Sequence, residues 1–176
     1  DALRRYNYLV TKVKFPIAII PTFISISKIS IHLILLAIVI LLFWLFGYLP
    51  DLYLLQLPVY TLLMFLFFTA LTLFTSFLSA ISKDFSNFVK SFVTVIFWMS
   101  GILWNIRQLD IPWLKTILKC NPVTFFVTGY RNCFIDKIWF WQELDTLIYF
   151  FIVYVIMIVL AIWCYIKVRK EIPDLL

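Results

Sequence analysis

The stretch FISISKISIHLILLAIVILLFWLF, residues 23–46, decides the fold. It contains no acidic residue, a single Lys (Lys28) and a single His (His32), and it is closed by Gly47 and Pro50. A run of this length and apolarity meets the roughly 20 residues that an α-helix needs to cross hydrocarbon. Three further runs read in the same way. Residues 58–81 are closed by Ser82-Lys83-Asp84, and residues 146–166 end in Lys167-Val168-Arg169-Lys170. Residues 88–106 form a shorter run with Lys90 near its start. At about 1.5 Å per residue these lengths allow crossing with some tilt, the third being the marginal one. The expected fold is an all-α integral membrane domain of about four transmembrane helices plus a re-entrant or interfacial helical segment.

Composition agrees. Of the 176 residues, 64% are hydrophobic and 14% charged, with a mean hydropathy of +1.03. Soluble domains carry about 45–50% apolar and about 25% charged residues, so much of this surface must have lipid as its solvent. Three Gly in the whole chain leave little room for a phosphate-cradling loop. The net charge of +6 sits at the ends of apolar runs, where it reads as topology signal and headgroup contact rather than a nucleic-acid surface. Cys120, Cys133 and Cys164 form neither a CxxC pair nor a zinc spacing and read as free buried thiols, with a disulfide as the alternative.

Between the third and fourth runs lie residues 107–145. They include a shorter apolar run, 122–135, ended by Asp136-Lys137 and followed by Trp139 and Trp141 at the position of an interfacial anchor. That run is too short to span and fits a re-entrant or interfacial segment. With no repeat and no linker, the chain reads as one domain.

Orientation follows from the basic residues. With four spans, both termini and the loop at residues 82–87 share a side. That side carries Arg4, Arg5, Lys12, Lys14, Lys83, Lys90, Lys167, Arg169 and Lys170 in short segments. The other side holds Arg107, Lys115, Lys119, Arg131 and Lys137, interspersed with acids. The richer side, with both termini, is expected in the cytoplasm.

No acidic residue falls within the four runs, which argues against a proton- or sodium-coupled carrier, since these bury a titrating carboxylate at membrane depth. Ser25, Lys28 and His32 share one helix face, either on a polar path or against a neighbouring helix. The competing readings are that Lys28 snorkels to the headgroups and that His32 is a satisfied interface residue. A lone His without acidic neighbours builds no metal site, and no Ser-His-acid constellation is in reach, so neither catalysis nor a cofactor is expected in this chain. Two cytoplasmic segments suit a soluble partner or, alternatively, lipid headgroups. One is the basic, amphipathic Tyr8-Leu9-Val10-Thr11-Lys12-Val13-Lys14-Phe15-Pro16; the other is Ser82-Lys83-Asp84-Phe85.

Several short motifs carry a resemblance. Lys12-Val13-Lys14-Phe15-Pro16 with Pro21 before a span resembles the cytoplasmic connection of ABC-2 type export permeases for cell-surface polysaccharides. Ser82-Lys83-Asp84-Phe85 falls at that family's second cytoplasmic loop, with Lys-Asp where Arg-Asp is frequent. Trp98-Met99-Ser100-Gly101-Ile102-Leu103-Trp104 resembles the end of its fifth span, with Gly101 where many members have Pro. Asn121-Pro122, Gly129-Tyr130-Arg131 and Trp139-Phe140-Trp141 resemble the external segment before the last span, leaning towards teichoic acid permeases. The family has six spans after an amphipathic interfacial helix. By that resemblance the chain, which opens at Asp1 without Met, corresponds to the last two-thirds of a permease.

The resemblance implies a homodimer paired with two ATPase subunits, which bind the ATP and Mg, and a lipid-linked polysaccharide as cargo in the cytoplasmic membrane. By position, Lys12, Lys14, Phe15, Pro16, Lys83, Asp84 and Phe85 would contact the ATPase. Lys28 and His32 would lie on the path, and Trp98, Trp104, Asn121, Pro122, Tyr130 and Arg131 would line or cap the external exit. Aromatic faces suit sugar rings, and Lys28 or Arg131 suits phosphate. The Trp residues read equally well as interface anchors. Export of O-antigen, capsule, rhamnose polymer or small molecules stays open beside teichoic acid, as do a membrane enzyme acting on lipid-linked sugars and a non-transporting scaffold.

Overall fold

The structure, a computed structural model, describes residues 3, 6, 8 and 17–168. The expected coupling residues Lys12, Lys14, Phe15 and Pro16 lie outside the described residues, as do Arg4, Arg5, Arg169 and Lys170. Between residues 17 and 168 the chain forms six α-helices: α1 (Ile19–Leu45), α2 (Leu57–Ile81), α3 (Lys83–Met99), α4 (Pro112–Lys119), α5 (Pro122–Arg131) and α6 (Leu144–Val168).

The all-helical class follows from what lipid demands: every backbone polar group must be satisfied within its own segment. The most apolar window of α1 contains no buried residue, and Ile31, Ile34, Leu35, Ile38, Leu41 and Leu42 are all exposed. Such a surface is stable only where hydrocarbon surrounds it. Hydroxyls on these helices satisfy themselves by donating to the carbonyl one turn back, as Ser25 does to Pro21 at 3.1 Å, Thr69 to Phe65 at 2.7 Å and Thr75 to Leu71 at 2.8 Å.

Among the described residues three helices are long and apolar enough to cross a membrane: Ile19–Leu45, Leu144–Lys167, and Leu52–Ile81, in which a short 3-10 turn leads into α2. The third expected span needs correction. Its helix begins at Lys83 rather than 88 and stops at Met99 rather than 106. Ser82 alone separates it from α2, its hydroxyl capping the new helix by accepting from the Phe85 N–H at 3.3 Å. Gly101, with φ +72°, ends it in the left-handed conformation that glycine adopts freely just past a helix. At 17 residues, or about 26 Å, α3 is at the lower limit of spanning length.

α2 is the central helix. It packs on α6 and α1 along its length, on α3 beside the Ser82 turn, and on α5. Two apolar clusters mark its ends. One joins Leu3, Ile20, Phe77, Ala80 and Cys164; the other joins Leu57, Tyr60, Phe67, Phe125, Phe126, Cys133 and Phe150. The second exists because α5 folds back into the bundle. Asn121 caps α5 by accepting from the Val123 N–H at 3.0 Å, and Pro122 supplies a first residue that needs no donor. Within it the rings of Phe125 and Phe150 stack at 4.3 Å. The expected 122–135 segment is thus a ten-residue helix followed by a π-turn, Asn132–Asp136.

Candidate functional site

Ser25, Lys28 and His32, one face of α1 by spacing, line a single cleft of about 270 Å³ between α1 and α2. Met64, Phe65, Phe68 and Thr72 form the α2 wall. Lys28 is exposed within it. His32 stands at the midpoint of α1, where its Nε2 shares a 2.9 Å hydrogen bond with the Tyr130 hydroxyl. That hydroxyl shares a second bond, 2.8 Å, with Thr61 Oγ1. One phenol therefore ties α1, α2 and α5 together at membrane depth, and it brings two of the expected path and gate residues, His32 and Tyr130, into contact.

The remaining gate residues gather where α3 ends. The last carbonyls of a helix have no partner within it. For α3, the α5-capping Asn121 donates its Nδ2 to the last-turn Ile96 carbonyl at 3.1 Å, and the Arg131 guanidinium donates to the carbonyls of Gly101 and Trp104 in the loop beyond, both at 3.3 Å. Trp104 in turn donates its indole N–H to the Trp98 carbonyl at 3.2 Å. Trp98 is 60% exposed, while Pro122 starts α5. Arg131, expected as a phosphate ligand, is committed to holding this corner.

Two polar assemblies escaped the sequence reading. In one, Arg107 pairs with Asp136, with Glu143 at 2.5 Å and with the buried Asn132 side-chain oxygen at 2.6 Å; Asn132 donates onward to Glu143 at 2.9 Å. In the other, buried Gln56 donates to the Ile138 carbonyl at 3.1 Å and accepts from the Phe140 N–H at 2.7 Å. A signal existed for both, since each charged or amide residue borders an apolar run and must be satisfied once buried. Beside Gln56, the rings of Trp139 and Trp141 stack at 4.6 Å, with Tyr53 against Trp139 at 5.1 Å. At the opposite end of α2, Lys83 and Asp84 are exposed on the first turn of α3, and Phe85 packs on Phe74.

A model of the ABC-2 type transporter family matches residues 4–135, three quarters of the chain. The chain belongs to the ABC-2 type transporter family. Over 129 residues it is 23% identical to the O-antigen export system permease protein RfbA of Myxococcus xanthus, a stretch covering 73% of this chain and 50% of that protein. The chain thus spans about half the length of the curated relative it matches. No solved structure matches it.

As an ABC-2 family member with three helices fit to cross the bilayer, the chain is a multi-pass membrane protein. The matched residues include the α1–α2 cleft, Thr61, Asn121, Tyr130 and Arg131, whereas Asp136 and Glu143 lie beyond them. Among the described residues no group of three His, Cys, Asp or Glu is placed to hold a metal. In the π-turn that follows α5, burial pushes the Cys133 thiol up to about 12.

Proposed function

We propose that this ABC-2 chain is the membrane permease part of an ATP-driven exporter of cell-surface polysaccharide. One observation carries the reading: family membership combined with a relative described as an O-antigen export permease. The cargo is a lipid-linked polymer in the cytoplasmic membrane. The order of motifs favours teichoic acid, and the relative's description favours O-antigen. The chain acts as a homodimer with a separate ATPase subunit, which holds ATP and Mg.

Several features support this arrangement. Lys83 and Asp84 are exposed on the first turn of α3, directly after the one-residue turn at Ser82, a shape that transmits a push from a docked subunit into both α2 and α3. Together with Phe85 and the segment Lys12, Lys14, Phe15 and Pro16, they form the ATPase contact, on the side that also bears both termini. Lys28 and His32 border the path, and the corner built from Trp98, Trp104, Asn121, Pro122, Tyr130 and Arg131 gates its far end, with α5 dipping into the membrane as a re-entrant segment.

The test is co-purification of the full-length protein in mild detergent with an ATPase assay on the eluate. A nucleotide-hydrolysing subunit should co-elute, and Lys83→Glu with Asp84→Lys should weaken its retention. Absence of any such subunit from a well-folded preparation would overturn the reading.

A further inference from the structure

Lys28 is a cation without a counter-ion among the described residues. It stands nine residues into α1, about 14 Å from the start of a helix about 40 Å long, and five residues inside the apolar run that begins at Phe23. Among the described residues it makes no ion pair and no hydrogen bond. A lysine at such depth is costly and marks a functional site by default. Lys28 borders the open cleft between α1 and α2, so its ammonium reaches the polar side of that cleft as well as the headgroup level.

Three other polar residues border the same cleft, of which Ser25 is spent on the Pro21 carbonyl. Thr72 contributes a hydroxyl with no protein partner among the described residues, unlike Thr69 and Thr75 nearby, which donate to carbonyls one turn back. His32 uses only Nε2 on Tyr130. When Tyr130 donates that bond, Nδ1 carries the ring proton and is left as a donor. The cleft therefore gathers one positive charge, the Thr72 hydroxyl and, in that tautomer, the His32 Nδ1–H within about 270 Å³, with no carboxylate among its lining residues. The remaining walls, Ile24, Ile29, Met64, Phe65 and Phe68, suit the hydrocarbon below a headgroup.

We infer that the cleft bordered by Lys28, Thr72 and His32 binds the phosphate of an anionic lipid, drawn from the headgroup level into the space between α1 and α2. Charge and donor set select a phosphate ester, and the surrounding apolar walls select one attached to a lipid. The lipid comes either from the bilayer itself or from a lipid-linked cargo, the second source resting on the export reading above. Arg131, the other candidate for phosphate, is already engaged with carbonyls.

Native mass spectrometry of the intact protein in mild detergent tests this with three probes: phosphatidylglycerol, a polyprenyl phosphate, and diacylglycerol, which lacks the phosphate. Wild type should retain at least one of the phosphate lipids about tenfold better than diacylglycerol. Lys28→Gln should lose that preference, Lys28→Arg should keep it, and Lys167→Gln, which alters a lysine at a helix end, should not affect it. Preference for the polyprenyl phosphate assigns the site to cargo, whereas equal or greater retention of phosphatidylglycerol assigns it to bilayer lipid. Unchanged retention in a folded Lys28→Gln protein overturns the inference, as does equal retention of diacylglycerol in wild type. ATPase co-elution is independent of these readouts, so the inference and the export reading fail separately.

Discussion

Gly129 on α5 lies so close to Tyr60 on α2 that a Cβ built on it would stand 2.3 Å from Cε1 of the ring. Tyr60 is 3% exposed and packed against Phe125 and Tyr130. Gly129→Ala is expected to destabilise the protein by about 1–3 kcal/mol. Thermal unfolding in detergent measures this, and adding Tyr60→Leu should recover part of the loss because the two positions share one contact.

Tyr130→Phe keeps the ring on His32 and Tyr60 but removes the hydroxyl that joins α1, α2 and α5. With neutral hydrogen bonds contributing about 1 kcal/mol each, the expected loss is about 1–2 kcal/mol. Thr61→Val should then cost clearly less in the Tyr130→Phe background than in wild type. Equal costs in both backgrounds would mean that the bond between Thr61 and Tyr130 contributes nothing.

Thr124 is 1% exposed, and its Oγ1 is buried without a hydrogen-bond partner among the described residues. Thr124→Val removes the orphan hydroxyl at nearly constant volume. A gain of about 1 kcal/mol is expected, read as a raised unfolding midpoint.

Arg107→Gln leaves Asp136 and Glu143 without the guanidinium between them. The arginine side chain is 29% exposed, so solvent screens part of the effect and the expected loss is about 1.5–3 kcal/mol. Adding Asp136→Asn and Glu143→Gln should lessen it, since the residual repulsion goes with the charges.

Thiol labelling should separate the cysteines. Cys120 is exposed and is expected to react with N-ethylmaleimide near neutral pH, while the buried Cys133 and Cys164 are not. Burial raises the Cys133 thiol well above the ordinary range, so it stays protonated as pH rises from 7 to 9. Its modification should lag far behind that of Cys120 across this range. Ready labelling of Cys133 at pH 8, followed by mass spectrometry, would show that α5 and its π-turn open to solvent.

The sequence alone determined that this is a helical membrane chain, because apolar runs such as residues 23–46 have no other stable environment. It also showed Ser25, Lys28 and His32 on one face, since helical periodicity is a local property. The end of α3 was half legible. Gly101 carried the stop signal, but Ile102 and Leu103 prolong the apolar run, and apolarity does not distinguish a helix from the packed loop that follows it. Only the tertiary structure decided what that face meets. Tyr130 reaches His32 across 98 residues of chain, and Arg107 gathers Asn132, Asp136 and Glu143 from two later segments. Such meetings depend on how each helix is rotated and offset against its neighbours. That rotation is set by contacts summed over the whole bundle, Gly129 against Tyr60 among them, and no local pattern encodes it.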